Sequence, residues 1–435
     1  MMNIYIETLG CPKNFYDSEI AEGILKNAGH NIVSDWEDSD IIIVNTCGFI
    51  NDAKRESIAK IFEFADRGDR LLIVSGCLSK RYADELITDM PEVDIFIGVN
   101  EYEKLPEIIE NHKIGCREKF VEEYTTDPNP DYRDCRNLGY SATLKISEGC
   151  DNRCAYCVIP DIRGPYRSRT MESIVKEAEK LAEAGVKELI LIGQDVTAYG
   201  KDIYGSFNLH ELLKRLCRVE KIRWIRLMYC YEDRITDELI EVMAKEDKIC
   251  HYIDMPLQHS TDHVLSMMRR RSNESSIRST ISRLRSAIPD IAIRTTLITG
   301  FPGETEEDFD NLYDFVEEIN FQRLGVFTYS MEEGTPAAEM DNQIEEDIKE
   351  ERKDSIMRLQ MEISRAFNES LVGKTLEVLI EEKDEDGVYL GRTQYDAPEI
   401  DNCVIVKTVS EHKPGDFITV EVTDAYDYDI VGREI

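Results

Sequence analysis

The chain has 435 residues, 42% of them hydrophobic and 32% charged, with 87 Asp and Glu against 52 Lys and Arg. That length predicts two to four domains, the composition excludes long disorder, and no apolar run approaches the roughly 18–20 residues that span a bilayer. A net charge of −35 repels a phosphate backbone and attracts basic partners, or, more plainly, keeps the surface soluble.

The opening MMNIYIETLG lacks the basic region and apolar core of a secretory leader. A cytoplasmic location without a membrane partner is therefore expected. Twelve cysteines in a reducing compartment point to metal or catalysis rather than disulfides. Residues 1–115 alternate strand and helix. NIYIETLGC, DIIIVNTC, RLLIVSGC and DIFIGV read as strands, with SEIAEGILKNAG and AKRESIAKIFEFAD as helices between them. Continuous β-branched runs in that setting predict a parallel α/β sheet. Ligands gather beyond the carboxyl ends of such strands. Cys11, Cys47 and Cys77 each stand just past one of those ends, so three thiols distant in sequence are expected to converge. The plainer reading is three small buried hydrophobes.

Residues 116–140 read as a linker, with DPNPDYRDCRN as a Pro/Asn/Asp loop. From 141 to 370 the βα alternation resumes. ATLKIS, ELILIG, IRWIRLM, YIDMPL, IAIRTTLIT and GVFTYS are the candidate strands, and residues 342–370 a long charged helix. Six βα units predict an open (βα)6 barrel. Residues 371–435 switch to short alternating strands, TLEVLIEE, GVYLGRTQ, CVIVKTV and DFITVEVTD, which predict a small antiparallel, OB-like β-barrel.

The densest chemistry lies in ISEGCDNRCAYCVIP, residues 146–160, where Cys150, Cys154 and Cys157 form a CxxxCxxC spacing. Structural zinc wants four ligands, and no fourth Cys or His is near. An iron-sulfur cube held by three thiolates leaves one iron open, and the triplet follows the first strand of the predicted barrel, at the face where barrel active sites lie. Two further strand ends offer Gln194 and Asp195 in LIGQDVTAYG, and Gly300, Gly303 and Glu304 in TLITGFPGETEEDF. Glycines there let backbone approach a ligand closely. The same stretch also reads as a simple helix cap from Thr305 to Asp308. Cys116, Cys135, Cys217, Cys230, Cys250 and Cys403 show no ligand spacing and read as core or incidental. His259 reads as core.

The triplet with Tyr156 resembles the signature of the radical S-adenosylmethionine (SAM) enzymes, and the whole chain, from Tyr5 to about Gly432, resembles the radical SAM methylthiotransferases. The resemblance implies an N-terminal three-cysteine domain, a radical SAM barrel and a C-terminal TRAM barrel. It implies two [4Fe-4S] clusters, one on Cys11 (LGCPKN), Cys47 (NTCGFI) and Cys77 (SGCLSK), the other on Cys150, Cys154 and Cys157. SAM binding would fall to Gln194, Asp195, Gly300 and Glu304. One SAM would donate methyl and a second would generate the radical, with sulfur carried on the auxiliary cluster. LGCPKN, IPDIRGPYRSR, GQDVTAYG, YIDMPLQH, GVFTYSMEEGT and RTQYDAPEID are similar to the branch that modifies the β-carbon of an aspartate in a small-subunit ribosomal protein near the decoding centre. Asp161 stands where other members vary.

Charge offers a separate check. From Leu371 to Ile435 there are 6 Lys and Arg against 16 Asp and Glu. Nucleic-acid platforms want basic grooves with stacking aromatics. This module has Tyr389, Tyr395, Tyr426 and Tyr428 but the wrong charge, which suits a basic ribosomal protein and predicts no strong binding of free nucleic acid. The stretch RRRSNESSIRSTISRLR (269–285) dissents, either as a solvated helix face or as a contact to ribosomal RNA. An aspartate β-C–H has no proton that a side-chain base removes at neutral pH, so no general acid or base is assigned. A low-potential electron donor and a sulfur donor are expected partners. Two alternatives remain at this point: the same chemistry on an adenosine of transfer RNA, and a non-catalytic acidic adaptor holding zinc.

Overall fold

The structure, a computed structural model, describes residues 1–66, 68–113, 115–121, 133–135 and 138–435. Apart from Arg133, Asp134 and Cys135, the loop DPNPDYRDCRN lies outside the described residues. The chain divides into two compact units. The first gathers Met1–Asn137, Lys145–Glu177 and Glu332–Thr335. The second gathers Leu138–Leu144, Ala178–Met331 and Pro336–Ile435.

In the first unit six strands form one parallel sheet: β1 (Asn3–Thr8), β2 (Asn31–Ile32), β3 (Ile41–Thr46), β4 (Leu71–Gly76), β5 (Ile95–Ile97) and β6 (Glu118–Phe120), ordered β2-β1-β3-β4-β5-β6. Helices α1 (Pro12–Asn27), α2 (Asn51–Glu63), α3 (Cys77–Asp89) and α4 (Leu105–Asn111) connect or flank them. The run IIIVNT of β3 is buried throughout because both faces of the sheet are covered. Its side chains alternate accordingly: Ile41 and Ile43 enter one core with Ile4, Ile24 and Ile73, while Ile42 and Val44 enter the other with Leu72, Val74 and Phe96. Each such side chain contributes about 1.5–3 kcal/mol on burial. The two short strands β2 and β6 escaped the sequence reading, since two and three residues carry no periodicity.

The same unit holds β8 (Ser147–Glu148), β9 (Arg167–Ser168) and α5 (Ile159–Arg163). It also takes in Glu332–Thr335, where Glu332 accepts from the Asn51 N–H at 2.9 Å and pairs with Lys54 (2.8 Å) and Arg81 (3.1 Å).

The second unit carries an open six-stranded sheet made of β7 (Ser141–Lys145), β10 (Glu188–Ile192), β11 (Trp224–Leu227), β12 (Ile249–Asp254), β13 (Ala292–Thr299) and β14 (Arg323–Thr328). They lie in the order β14-β13-β12-β11-β10-β7, parallel from β10 to β14. All six strands expected of the open (βα)6 barrel are present, followed by the helix Glu346–Glu369. The closed C-terminal barrel, order β15-β16-β17-β19-β18, comprises β15 (Thr375–Glu385), β16 (Val388–Arg392), β17 (Val404–Lys407), β18 (Phe417–Ala425) and β19 (Ile430–Glu434). It departs from the antiparallel expectation in one pairing: β17 and β19 run parallel. The sequence reading stopped at β18. The unforeseen β19 turns back from β18 and enters between it and β17, so the barrel closes.

The stretch RTQYDAPEID, after β16, grips the sheet strands from their amino-terminal side, taking the first residues of β10 and β14 and residues further along β11 and β12. Arg392 and Arg226 both bind Glu188, Arg323 Nη2 donates to Asp396 at 2.6 Å, and the Tyr252 hydroxyl donates to Asp401 at 2.7 Å. Burial opposes the charge on Glu188, but Arg392 and Arg226 hold its pKa down at about 2. This edge is opposite to the one where parallel sheets bind ligands.

Candidate functional site

Cys11, Cys47 and Cys77 follow the carboxyl ends of β1, β3 and β4, and the first unit brings them together. Cys11 caps the N-terminus of α1 and Cys77 opens α3, so two of the three thiols sit where helix dipoles favour negative charge. The glycine beside each cysteine allows the close approach. A Cβ on Gly10 would come to 2.7 Å from Cys47 Cβ and 3.1 Å from its Sγ. A Cβ on Gly48 would come to 2.7 Å from Leu78 Cα and 3.0 Å from the Cys77 carbonyl carbon. Burial pushes the Cys77 thiol up to about 11; the nearby Arg163 pulls it down, while Cys11 and Cys47 push it further up. Burial also raises Cys47. Ligation of a metal would displace those protons.

Cys150, Cys154 and Cys157 sit on a second loop of the same unit. Its base is closed by the β8–β9 pair and by the Cys150 N–H donating to Gly164 O at 3.0 Å. The Cys157 N–H donates to Cys154 O at 3.1 Å. Two donors meet sulfur: Asn152 Nδ2 on Cys150 Sγ and the Ile159 N–H on Cys157 Sγ, each at 3.5 Å. Burial raises the Cys157 pKa, and Cys154 and Cys150 add to it.

Among the described residues, no three His, Cys, Asp or Glu side chains close on a site for a metal ion. A cube hangs its thiolates from separate irons and so spreads them wider than the shell of one ion. Each triad offers three thiolates, most of them buried and with N–H donors on sulfur, which suits a cube with one open iron, whereas structural zinc wants a fourth ligand.

The sequence reading missed the polar frame around the triads. Four cations, Arg133, Lys145, Arg163 and Arg169, interlock with four anions, Asp17, Glu19, Glu148 and Glu177, all within the first unit. Lys145 Nζ meets Asp17 at 2.6 Å and Glu148 at 2.7 Å. Arg133 meets Glu177 at 2.8 Å, and Arg169 meets Glu177 at 2.6 Å. Arg163 donates to Asp17 Oδ2 (2.6 Å), Asn14 Oδ1 (2.8 Å) and Cys77 Sγ (3.4 Å). Asn14 in turn donates to Leu9 O at 2.8 Å and Thr46 O at 3.1 Å, which ties together the turns that carry Cys11 and Cys47. Asn14 and Arg163 were in view in LGCPKN and IPDIRG. A buried polar helix face gives no periodic signal, however, and neither residue was assigned a role.

The remaining candidates belong to the second unit. Gln194 lies half-buried two residues past β10. Asp195 is fully buried, pairs with Arg234 and accepts from the Ala198 N–H at 3.1 Å. Glu304 accepts from the Gly300 N–H at 3.0 Å and pairs with Arg352 at 2.7 Å. Gly300 has φ +72, and a Cβ there would overlap Lys349 Cγ. Thr305 and Asp308 form the reciprocal helix cap. His259 is buried, with Nε2 3.7 Å from Glu304. In the 269–285 stretch, Arg270 meets Glu232 at 3.1 Å, Arg278 meets Glu274 at 2.8 Å and Arg283 is paired with Asp237, so much of its charge is answered internally. Tyr389 and Tyr395 are buried, whereas Tyr426 and Tyr428 are exposed.

Three family profiles match in succession: uncharacterized protein family UPF0004 over residues 3–98, the radical SAM superfamily over 144–316 and the TRAM domain over 372–435. The ribosomal protein uS12 methylthiotransferase RimO of Clostridioides difficile (strain 630) is 49% identical over 99% of this chain and 98% of its own. The chain belongs to the RimO family. The RimO of Thermoanaerobacter sp. (strain X514) is 50% identical, with both chains fully covered. Among solved structures, the radical SAM methyltransferase TsrM from Kitasatospora setae shares the fold. Its TM-score is 0.58 at 15% identity, over 77% of this chain and 73% of that one. Membership of the RimO family implies SAM and [4Fe-4S] clusters as cofactors.

Proposed function

We propose that this chain is a radical SAM methylthiotransferase that places a methylthio group on the β-carbon of an aspartate in ribosomal protein uS12, in the cytoplasm, with a low-potential electron donor and a sulfur donor as partners. The observation that carries the reading is the convergence of two separate thiol triads in one unit, in a chain whose relatives along its full length are named RimO. Cys150, Cys154 and Cys157 would hold one cluster and Cys11, Cys47 and Cys77 the other. Together with SAM, these clusters supply the radical that cleaves an unactivated C–H bond and the sulfur that replaces the hydrogen.

The chain's own residues prepare the site. Cys47, Cys77, Cys150 and Cys154 are buried, which limits water at those sulfurs, while Cys11 and Cys157 are partly exposed. Asn14 and Arg163 hold the turns of the N-terminal triad, and Asn152 and the Ile159 N–H orient the sulfurs of the other. Gln194 and Gly300 are the proposed SAM contacts, with Asp195 and Glu304 beside them. The carboxylates of Asp195 and Glu304 are committed to Arg234 and Arg352, so these two would act by fixing their turns rather than by gripping SAM.

The test is anaerobic reconstitution with iron and sulfide, followed by incubation with SAM, a reductant and either uS12 or transfer RNA, and weighing of both products. A methylthio gain on a uS12 aspartate is expected; a gain on RNA alone overturns the substrate. Iron quantitation on Cys11→Ala is expected to show a loss of about half the iron, one cube of two. Zinc in place of iron and sulfide would overturn the chemistry.

A further inference from the structure

We infer that Arg163 is a positioning residue that sets the geometry and reduction potential of the cluster at Cys11, Cys47 and Cys77, and ties that cluster to the loop bearing the other triad. The inference rests on the reading of those three cysteines as cluster ligands. Arg163 is 2% exposed, and its two arms do different work. Nη1 is answered by Asp17 Oδ2 at 2.6 Å, and Lys145 Nζ, 2.6 Å from the other Asp17 oxygen, keeps that carboxylate from swinging away. Nη2 is left for Asn14 Oδ1 at 2.8 Å and Cys77 Sγ at 3.4 Å. The arginine ends α5, whose Ile162, with the neighbouring Val158, packs beside Cys77 and Val99. A shift in the Cys150–Cys157 loop is therefore carried by a rigid turn to a sulfur of the other triad.

A guanidinium that donates to a ligating sulfur stabilises the more negative, reduced form of an iron-sulfur centre and raises its potential. In a buried site that charge is weakly screened. A purely structural arginine would only neutralise Asp17 and Glu148, whose Oε1 lies 3.5 Å from Nη1, and the arm facing sulfur would be incidental. Lysine at this position keeps a charge for Asp17 but lacks the second planar arm.

The test uses the full chain with Cys150, Cys154 and Cys157 replaced by Ala, reconstituted anaerobically so that the N-terminal cluster alone remains. Midpoint potential by redox titration with paramagnetic resonance detection, and iron and sulfide content, are measured for this parent, for Arg163→Lys, and for Arg163→Met combined with Asp17→Asn. The paired change avoids leaving a lone buried carboxylate. We expect full iron in all three, the lowest midpoint in the double variant, the Lys variant in between, and a changed resonance spectrum. An unchanged midpoint and spectrum in both variants overturns the inference. So does loss of iron from both, which would make Arg163 a support of the fold alone. An iron-free parent would instead overturn the N-terminal cluster, and this inference with it.

Discussion

Gly76 shows how one missing Cβ places a thiol. Its φ is +95, and a Cβ there would come to 2.5 Å from Thr46 O and closer still to Asn45 Oδ1. Gly76→Ala therefore both strains the backbone and pushes β4 from β3, moving Cys77. A cost of about 1–3 kcal/mol is expected in urea unfolding, with iron uptake reduced alongside; equal stability would show that the turn has slack. His259 makes a second residue-scale case. Burial pushes its pKa down to about 3, Asp308 opposes this, and Arg352 and His263 add to it. The unfolded chain binds a proton below about pH 6.5 that the folded chain refuses, so stability must fall as pH drops from 6.5 towards 3, by about 1.4 kcal/mol per unit. His259→Gln is expected to flatten that slope in unfolding curves taken across this range. Parallel slopes would mean that the folded site accepts the proton.

Elements act through their ends. The stretch RTQYDAPEID looked like a family signature, and it lies in the 371–435 module whose acidic excess suited a basic partner. Instead Asp396 and Asp401 answer Arg323, Arg294 and Tyr252 at the amino-terminal side of the sheet. Asp396→Asn would leave Arg323, 5% exposed, without its carboxylate, at a cost of about 3–5 kcal/mol. Faster amide exchange in β14 and in residues 392–401 is expected; exchange confined to the barrel would argue that the clamp is weak. How far sequence could see follows from the same physics. Strands such as IIIVNT announce themselves, because burial on both faces forces a run of apolar residues. Cys11, Cys47 and Cys77 stood out because each follows such a run, and Cys150, Cys154 and Cys157 because of their CxxxCxxC spacing. Asn14, Asp17 and Arg163 were not, because a polar network buried between segments more than a hundred residues apart leaves no local pattern. β19 was missed because IVGRE is too short and too mixed to outweigh the turn before it. The acidic total was legible, but its allocation between surface and internal pairs was not.

Across the whole molecule, a net charge of −35 gives the enzyme a long-range field. Association with the proposed substrate, basic uS12, should be fast at low salt, and its on-rate should fall steeply as ionic strength rises. A salt-independent on-rate in stopped-flow measurements would remove steering from the picture. Glu332 bears on how the molecule is made. The first unit draws most of its residues from the stretch before Glu177, yet Lys54 and Arg81 find their shared carboxylate only at Glu332. A growing chain must therefore lengthen through some 155 further residues, on the order of ten seconds of synthesis, before that clasp can close. A fragment ending near residue 177 would carry both thiol triads but leave the two cations at α2 and α3 without it. The packing of α2 against α3 is thus completed by a residue made late in synthesis, and the fragment is expected to unfold at lower urea than the full chain.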